Sequence, residues 1–161
     1  MPVIPNSKFH IPNSSSHGFS LLELLLVISI LAILGAAGSG MYRNFGKSVE
    51  LSSTSQVLAA DLRLMQSKSM KGESGYRWGV RFVKNTTGND YYLLFSTNGT
   101  TSTTTATTTL SSGITFRDPA SGYKDIIFSK ISGTIATATT TSITLEGIVA
   151  TTTVSNTGAI Y

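Results

Sequence analysis

Glu23 is the residue in this chain best placed to do chemistry. It interrupts the run Gly18-Phe19-Ser20-Leu21-Leu22-Glu23-Leu24-Leu25-Leu26-Val27-Ile28-Ser29-Ile30-Leu31-Ala32-Ile33-Leu34. About 20 apolar residues cross the hydrocarbon core of a bilayer, and a charge at the centre of such a helix costs on the order of 2.5–3.5 kcal/mol. A carboxylate retained there calls for a positive charge held in the same apolar surroundings. Reactive side chains are scarce elsewhere. There is no cysteine, so neither disulfides nor thiolate metal sites arise, and the two histidines, His10 and His17, both precede the apolar run. Serine and threonine are abundant, but a hydroxyl without an activating base is a weak nucleophile.

Gly18, Phe19 and Glu23, followed by an uninterrupted apolar run, resemble the processing site of type IV pilins and pseudopilins, and the resemblance reaches from Gly18 to about Tyr42. It implies that a prepilin peptidase cuts between Gly18 and Phe19 and methylates the new N-terminal Phe19. It also implies that Glu23 pairs with the free N-terminal amine of a neighbouring subunit. Two positions depart from the family. Ser20 stands where threonine is usual, with the hydroxyl kept, and Gly40 stands where many members carry proline. A proline kink is therefore not expected, although glycine can also bend a helix. Cutting at Gly18 would remove both histidines. The mature chain then lacks the commonest general base, the commonest zinc ligands and the thiol nucleophile together. The expectation is a protein that is not an enzyme and needs no cofactor and no metal.

Residues 1–18 hold prolines, asparagines, serines and one lysine without apolar periodicity, and they read as a leader. An ordinary secretory signal is the alternative, with Gly35-Ala36-Ala37-Gly38 as its cleavage site, but Glu23 inside the apolar core argues against it. Orientation does not follow from charge. Positive residues favour the cytoplasmic side, yet only Lys8 and the amino terminus precede the run, while Arg43 and Lys47 follow it closely. The peptidase resemblance supplies the orientation: a single pass through the bacterial inner membrane, with the C-terminal domain periplasmic or extracellular.

Beyond the run, Met41, Phe45 and Val49 recur at four-residue spacing, and Leu51, Leu58, Leu62 and Met65 continue the stripe. The helical signal weakens between Ser48 and Gln56, and Gly72 and Gly75 end it. A helix from about Ser20 to Lys71 would be roughly 75 Å long. Its segment 19–41 reads as a transmembrane and assembly helix, with Ala32, Gly35, Ala36, Ala37, Gly38 and Gly40 as small surfaces for close helix approach. Segment 42–72 reads as an amphipathic helix whose stripe packs on a domain.

From Gly75 the period switches to two. Tyr76, Trp78, Val80 and Phe82 alternate with Arg77, Gly79 and Arg81, as in a half-buried strand. Asp90–Ser96 is apolar on both faces, and short β-branched pieces follow at Ile114–Phe116, Ile126–Phe128, Ile143–Leu145, Ile148–Val154 and Ala159–Tyr161. Asn85–Asn89 and Asp118–Gly122 supply turns. The fold class is α+β: a long N-terminal helix, membrane-spanning then amphipathic, on an antiparallel β-sheet or small β-sandwich formed by 73–161, as in the pilin fold.

Val57–Ser69 followed by the strand Tyr76–Phe82 is similar to GspH/FimT-type minor pseudopilins, and Thr153–Tyr161 resembles that branch's terminal hairpin. The resemblance implies a structural subunit of a type II secretion pseudopilus or type IV pilus. Its partners would be other pilin or pseudopilin subunits, the prepilin peptidase, the inner-membrane assembly platform and membrane lipid. The alternative is a membrane-anchored module that binds a secreted protein, a surface or DNA through its β domain. Nucleic acid is the weaker partner class. The net charge is +4 and falls to +3 without Lys8, and the one candidate cluster is Lys68, Lys71, Arg77, Arg81 and Lys84. Asp118 and Asp125 lack the dense oxygen ligands that calcium requires and read as turn and surface residues. The threonine-rich segment Thr97–Ser112 reads as an edge strand or a solvated loop. Asn85-Thr86-Thr87 and Asn98-Gly99-Thr100 match the glycosylation acceptor pattern, which short sequences often do by chance.

Overall fold

The computed structural model describes residues 18–161, apart from the side chains of residues 37–41. Most of the expected leader, with His10 and His17, therefore lies outside the described residues, as do the side chains of Ala37, Gly38, Gly40 and Met41. The chain divides into two compact units, residues 1–41 and 42–161.

In the first unit, Gly18 to Ser20 are non-helical and helix α1, Leu21–Met70, begins. Every described side chain from Leu21 to Ala36 is exposed. Among the described residues no helix is long and apolar enough to cross a membrane. The expected span over 19–41 lies only partly within them, since the side chains of residues 37–41 fall outside the described residues.

In the second unit, Leu51, Leu58, Leu62 and Met65 of α1 are buried in one core cluster with the sheets. The expected stripe holds from Leu51 onward. It fails at Phe45 and Val49, which are 68% and 51% exposed, because the core they were expected to meet begins only at Leu51. The helix ends with Lys71 N–H donating to the Ser67 carbonyl (3.0 Å) and Gly72 N–H to that of Ser69 (3.0 Å). Gly72 takes the left-handed φ of 64° that glycine adopts without a Cβ penalty.

Seven strands follow: β1 Arg77–Val83, β2 Tyr91–Thr97, β3 Ser102–Thr109, β4 Ile114–Asp118, β5 Tyr123–Phe128, β6 Thr139–Leu145 and β7 Ile148–Val154. They form a four-stranded sheet in the order β3-β2-β1-β5 and a three-stranded sheet β4-β6-β7, with all pairs antiparallel. The threonine-rich segment is edge strand β3, exposed along nearly its whole length. Ala159–Tyr161 is less than a full strand. It makes a single bridge, Val154 to Ile160, after a turn in which Gly158 N–H donates to the Ser155 carbonyl (2.9 Å).

The two sheets share one core. Phe82 of β1 and Phe116 of β4 meet edge-on, ring centroids 5.4 Å apart. Buried Asp90 also joins them, accepting from the main-chain N–H of Asn85 (2.8 Å) and Phe116 (2.6 Å), with the Lys84 ammonium at 3.2 Å. α1 is tied to the loops by side-chain donors. Ser69 Oγ donates to the Phe128 carbonyl (2.8 Å), and Gln66 Nε2 donates to those of Gly133 (2.9 Å) and Gly158 (2.8 Å).

Candidate functional site

The residues at the expected processing point can be weighed against what the fold requires of them. Among the described residues, a Cβ added to Gly18 would meet nothing within 4 Å. The described structure leaves room for a side chain at that position. Phe19 is 79% exposed, so its aromatic ring fills no core position. Both residues are exposed and non-helical, just ahead of the helix.

Ser20 and Glu23 are joined by a feature that the sequence reading passed over. Ser20 Oγ accepts the main-chain N–H of Glu23 (3.2 Å), and the Ser20 carbonyl accepts that of Leu24 (3.1 Å). Ser20 is therefore the N-cap of α1 and Glu23 its third residue, the Ser-x-x-Glu spacing of a capping box. The pattern Ser20-Leu21-Leu22-Glu23 was the signal that could have revealed it. A carboxylate in the first turn also sits favourably against the positive end of the helix dipole. Among the described residues the Glu23 side chain meets no cation.

The cations of the second unit are largely committed. The Arg81 guanidinium makes two parallel bonds to Asp125 (2.6 and 2.7 Å) and lies over the Tyr123 ring at 4.5 Å. Hydrogen bonding to Asp125 raises the pKa of Arg81 above its ordinary value, against a smaller opposing effect of burial. Lys84 belongs to Asp90 and to the Phe116 carbonyl (2.7 Å). Lys68 lies over the Trp78 ring at 4.4 Å and bonds to Glu73 at 3.2 Å. Three members of the five-residue basic cluster, Lys68, Arg81 and Lys84, are thus engaged by groups of the chain itself. Asp118 and Asp125 are likewise taken, Asp118 by Lys124 at 2.7 Å and Asp125 by Arg81. Among the described residues no group of histidine, cysteine, aspartate and glutamate could hold a metal ion.

Two further polar contacts support the packing. Tyr92 donates from its hydroxyl to Asp61 on α1 (2.6 Å); burial, followed by this bond, raises its pKa well above the ordinary tyrosine value. Lys47 pairs with Glu146 in the turn between β6 and β7, and its hydrogen bond holds the exposed Glu146 carboxyl below its ordinary value. Neither pairing is legible in the sequence, because the partners are far apart along the chain.

Comparison with known proteins agrees with this picture at the amino terminus. Searches of curated proteins and of solved structures yield no match. Residues 13–39 match the family described as the prokaryotic N-terminal methylation motif, a stretch that contains Gly18, Phe19, Ser20 and Glu23. The chain thus carries a prokaryotic N-terminal methylation motif of the prepilin type, and its described residues form an α+β fold consistent with the pilin fold.

Proposed function

We propose that this protein is a structural subunit of a type II secretion pseudopilus or type IV pilus, of the minor GspH/FimT kind. The match of residues 13–39 to the methylation motif carries this reading. It is supported by the open surroundings of Gly18 and Phe19, whose side-chain identities serve no packing role in the described structure. Prepilin peptidase cuts between Gly18 and Phe19 and methylates the new amine. The apolar run from Phe19 anchors the precursor in the inner membrane and later packs against neighbouring subunits on the assembly platform.

Glu23 pairs with the Phe19 amine of an adjacent subunit as the helices associate. A low-dielectric setting strengthens that attraction, and desolvation offsets much of it, so the pair sets register more than it adds stability.

Intact mass and N-terminal sequencing of membrane-extracted protein test the reading. The expected product begins at Phe19 and carries one added methyl group. A product beginning near Gly38 identifies an ordinary secretory signal and overturns the filament role.

A further inference from the structure

The turn between β2 and β3 holds Asn98-Gly99, the one asparagine–glycine pair in the chain. The fold itself asks for this glycine, because residue 99 takes a positive φ of 99° that side chains rarely adopt. An asparagine ahead of glycine has a chemistry of its own. The main-chain nitrogen of Gly99 can attack the side-chain carbonyl carbon of Asn98, with no Cβ in its way. A bond forms between Gly99 N and Asn98 Cγ, the Cγ–Nδ2 bond breaks, and ammonia leaves with the proton from Gly99 N. Water then opens the resulting succinimide at either carbonyl, giving aspartate or isoaspartate.

The turn arranges both ends of that step. Asn98 Oδ1 accepts the main-chain N–H of Thr100 (2.9 Å) and of Thr101 (2.8 Å) and the Thr101 hydroxyl (3.2 Å). Those donors sit where negative charge gathers once Cγ is attacked, as in an oxyanion hole. Asn98 is exposed, and among the described residues its Nδ2 makes no hydrogen bond, so the leaving amine is open to water. Arg77 stands across the β1–β2 ladder from Thr97, and a Cβ built on Gly99 would lie 3.1 Å from its Nη2. A cation there favours both the amide anion that attacks and the carboxylate that results. Asn85 provides a comparison within the molecule. Its Oδ1 likewise accepts from Thr87, by N–H (3.2 Å) and by hydroxyl (3.3 Å). Its Nδ2, however, donates to the Asn89 carbonyl (3.3 Å), and the β-branched Thr86 follows it. There the amine is held and the attacking nitrogen is crowded.

We propose that Asn98 is a self-modification site: the β2–β3 turn converts it, without an enzyme, to aspartate and isoaspartate. Arg77 speeds the step and then faces the new carboxylate. The inference stands apart from the filament reading, and either can fail alone.

Peptide mapping by mass spectrometry tests it on the detergent-extracted full chain, held at mildly alkaline pH and compared with a digest at time zero. The fragmentation used must separate isoaspartate from aspartate. Asn85, Asn89 and Asn98 fall on one tryptic peptide, 85–117, so their rates compare directly. The expected result is that Asn98 converts first and gives both products. Arg77→Gln should slow that conversion about fivefold in the folded chain, the size of a charge–charge attraction at a solvated surface. Arg77→Lys, which keeps the charge, should restore most of the rate. In the urea-unfolded chain, where no fold holds the guanidinium at the turn, wild type and Arg77→Gln should convert alike. An intact Asn98 beside a converted Asn85 or Asn89 overturns the inference. Equal rates for folded wild type and Arg77→Gln overturn it as well, since conversion then belongs to the dipeptide and not to the turn.

Discussion

At the scale of single residues, Glu23 has two physical roles that one substitution separates. As the third residue of α1 it suits a capping box, and glutamine suits that position as well as glutamate does. Glu23→Gln therefore keeps the helix start and removes only the charge. If the charge pairs with a neighbouring Phe19 amine, the variant should be cut and methylated normally yet fall sharply in sheared filaments relative to membranes. Equal incorporation of variant and wild type would dismiss the pairing.

Tyr92 offers a second test, by pH. Its pKa is raised in the folded state, so above about pH 10 the unfolded tyrosine loses its proton while the folded one keeps it. The folded state then binds more protons, and stability should fall as pH rises beyond that point. Tyr92→Phe should lose about 1–2 kcal/mol near neutrality through the broken bond to Asp61. It should also show a shallower alkaline decline in denaturant midpoints than wild type.

At the scale of elements, the pairing of β1 with β5 depends on a missing side chain. A Cβ on Gly79 would lie 2.5 Å from the Ile126 carbonyl oxygen and 3.2 Å from the Phe95 ring. The first contact is backbone and cannot swing aside. Gly79→Ala should cost about 1–3 kcal/mol as an overpacked contact and should loosen β5 first, seen as faster amide exchange there than in β2. Helix α1 predicts its own boundary. Leu62 is fully buried, so Leu62→Ala should cost about 2–5 kcal/mol in urea unfolding. Phe45 contributes no core packing, so Phe45→Ala should stay within about 0.5 kcal/mol. A comparable loss at both positions would mean that the helix packs along its whole length.

At the scale of the molecule, residues 42–161 form a compact unit with a shared core from Leu51 to Val154. Deleting Met1 to Tyr42 removes the exposed apolar run and leaves that core untouched. The shortened protein should be soluble and monomeric, with a circular dichroism spectrum carrying a strong β component. A spectrum dominated by helix, or aggregation at low concentration, would show that the second unit depends on the first.

Local patterns in the sequence were enough for the elements and for the N-terminal motif. Four-residue spacing marked α1, alternation marked β1, and the succession of Gly18, Phe19 and Glu23 marked the stretch that the methylation motif matches. These signals are legible because each depends on neighbours within a few residues. The tertiary structure alone decided the rest. It left Phe45 exposed, engaged Arg81 and Lys84 of the basic cluster in ion pairs, and divided the strands between two sheets. Asp125 meets Arg81 across the β1–β5 ladder from 44 residues away. Strand register and shared core packing set such meetings, and neither is written in the periodicity of any single segment.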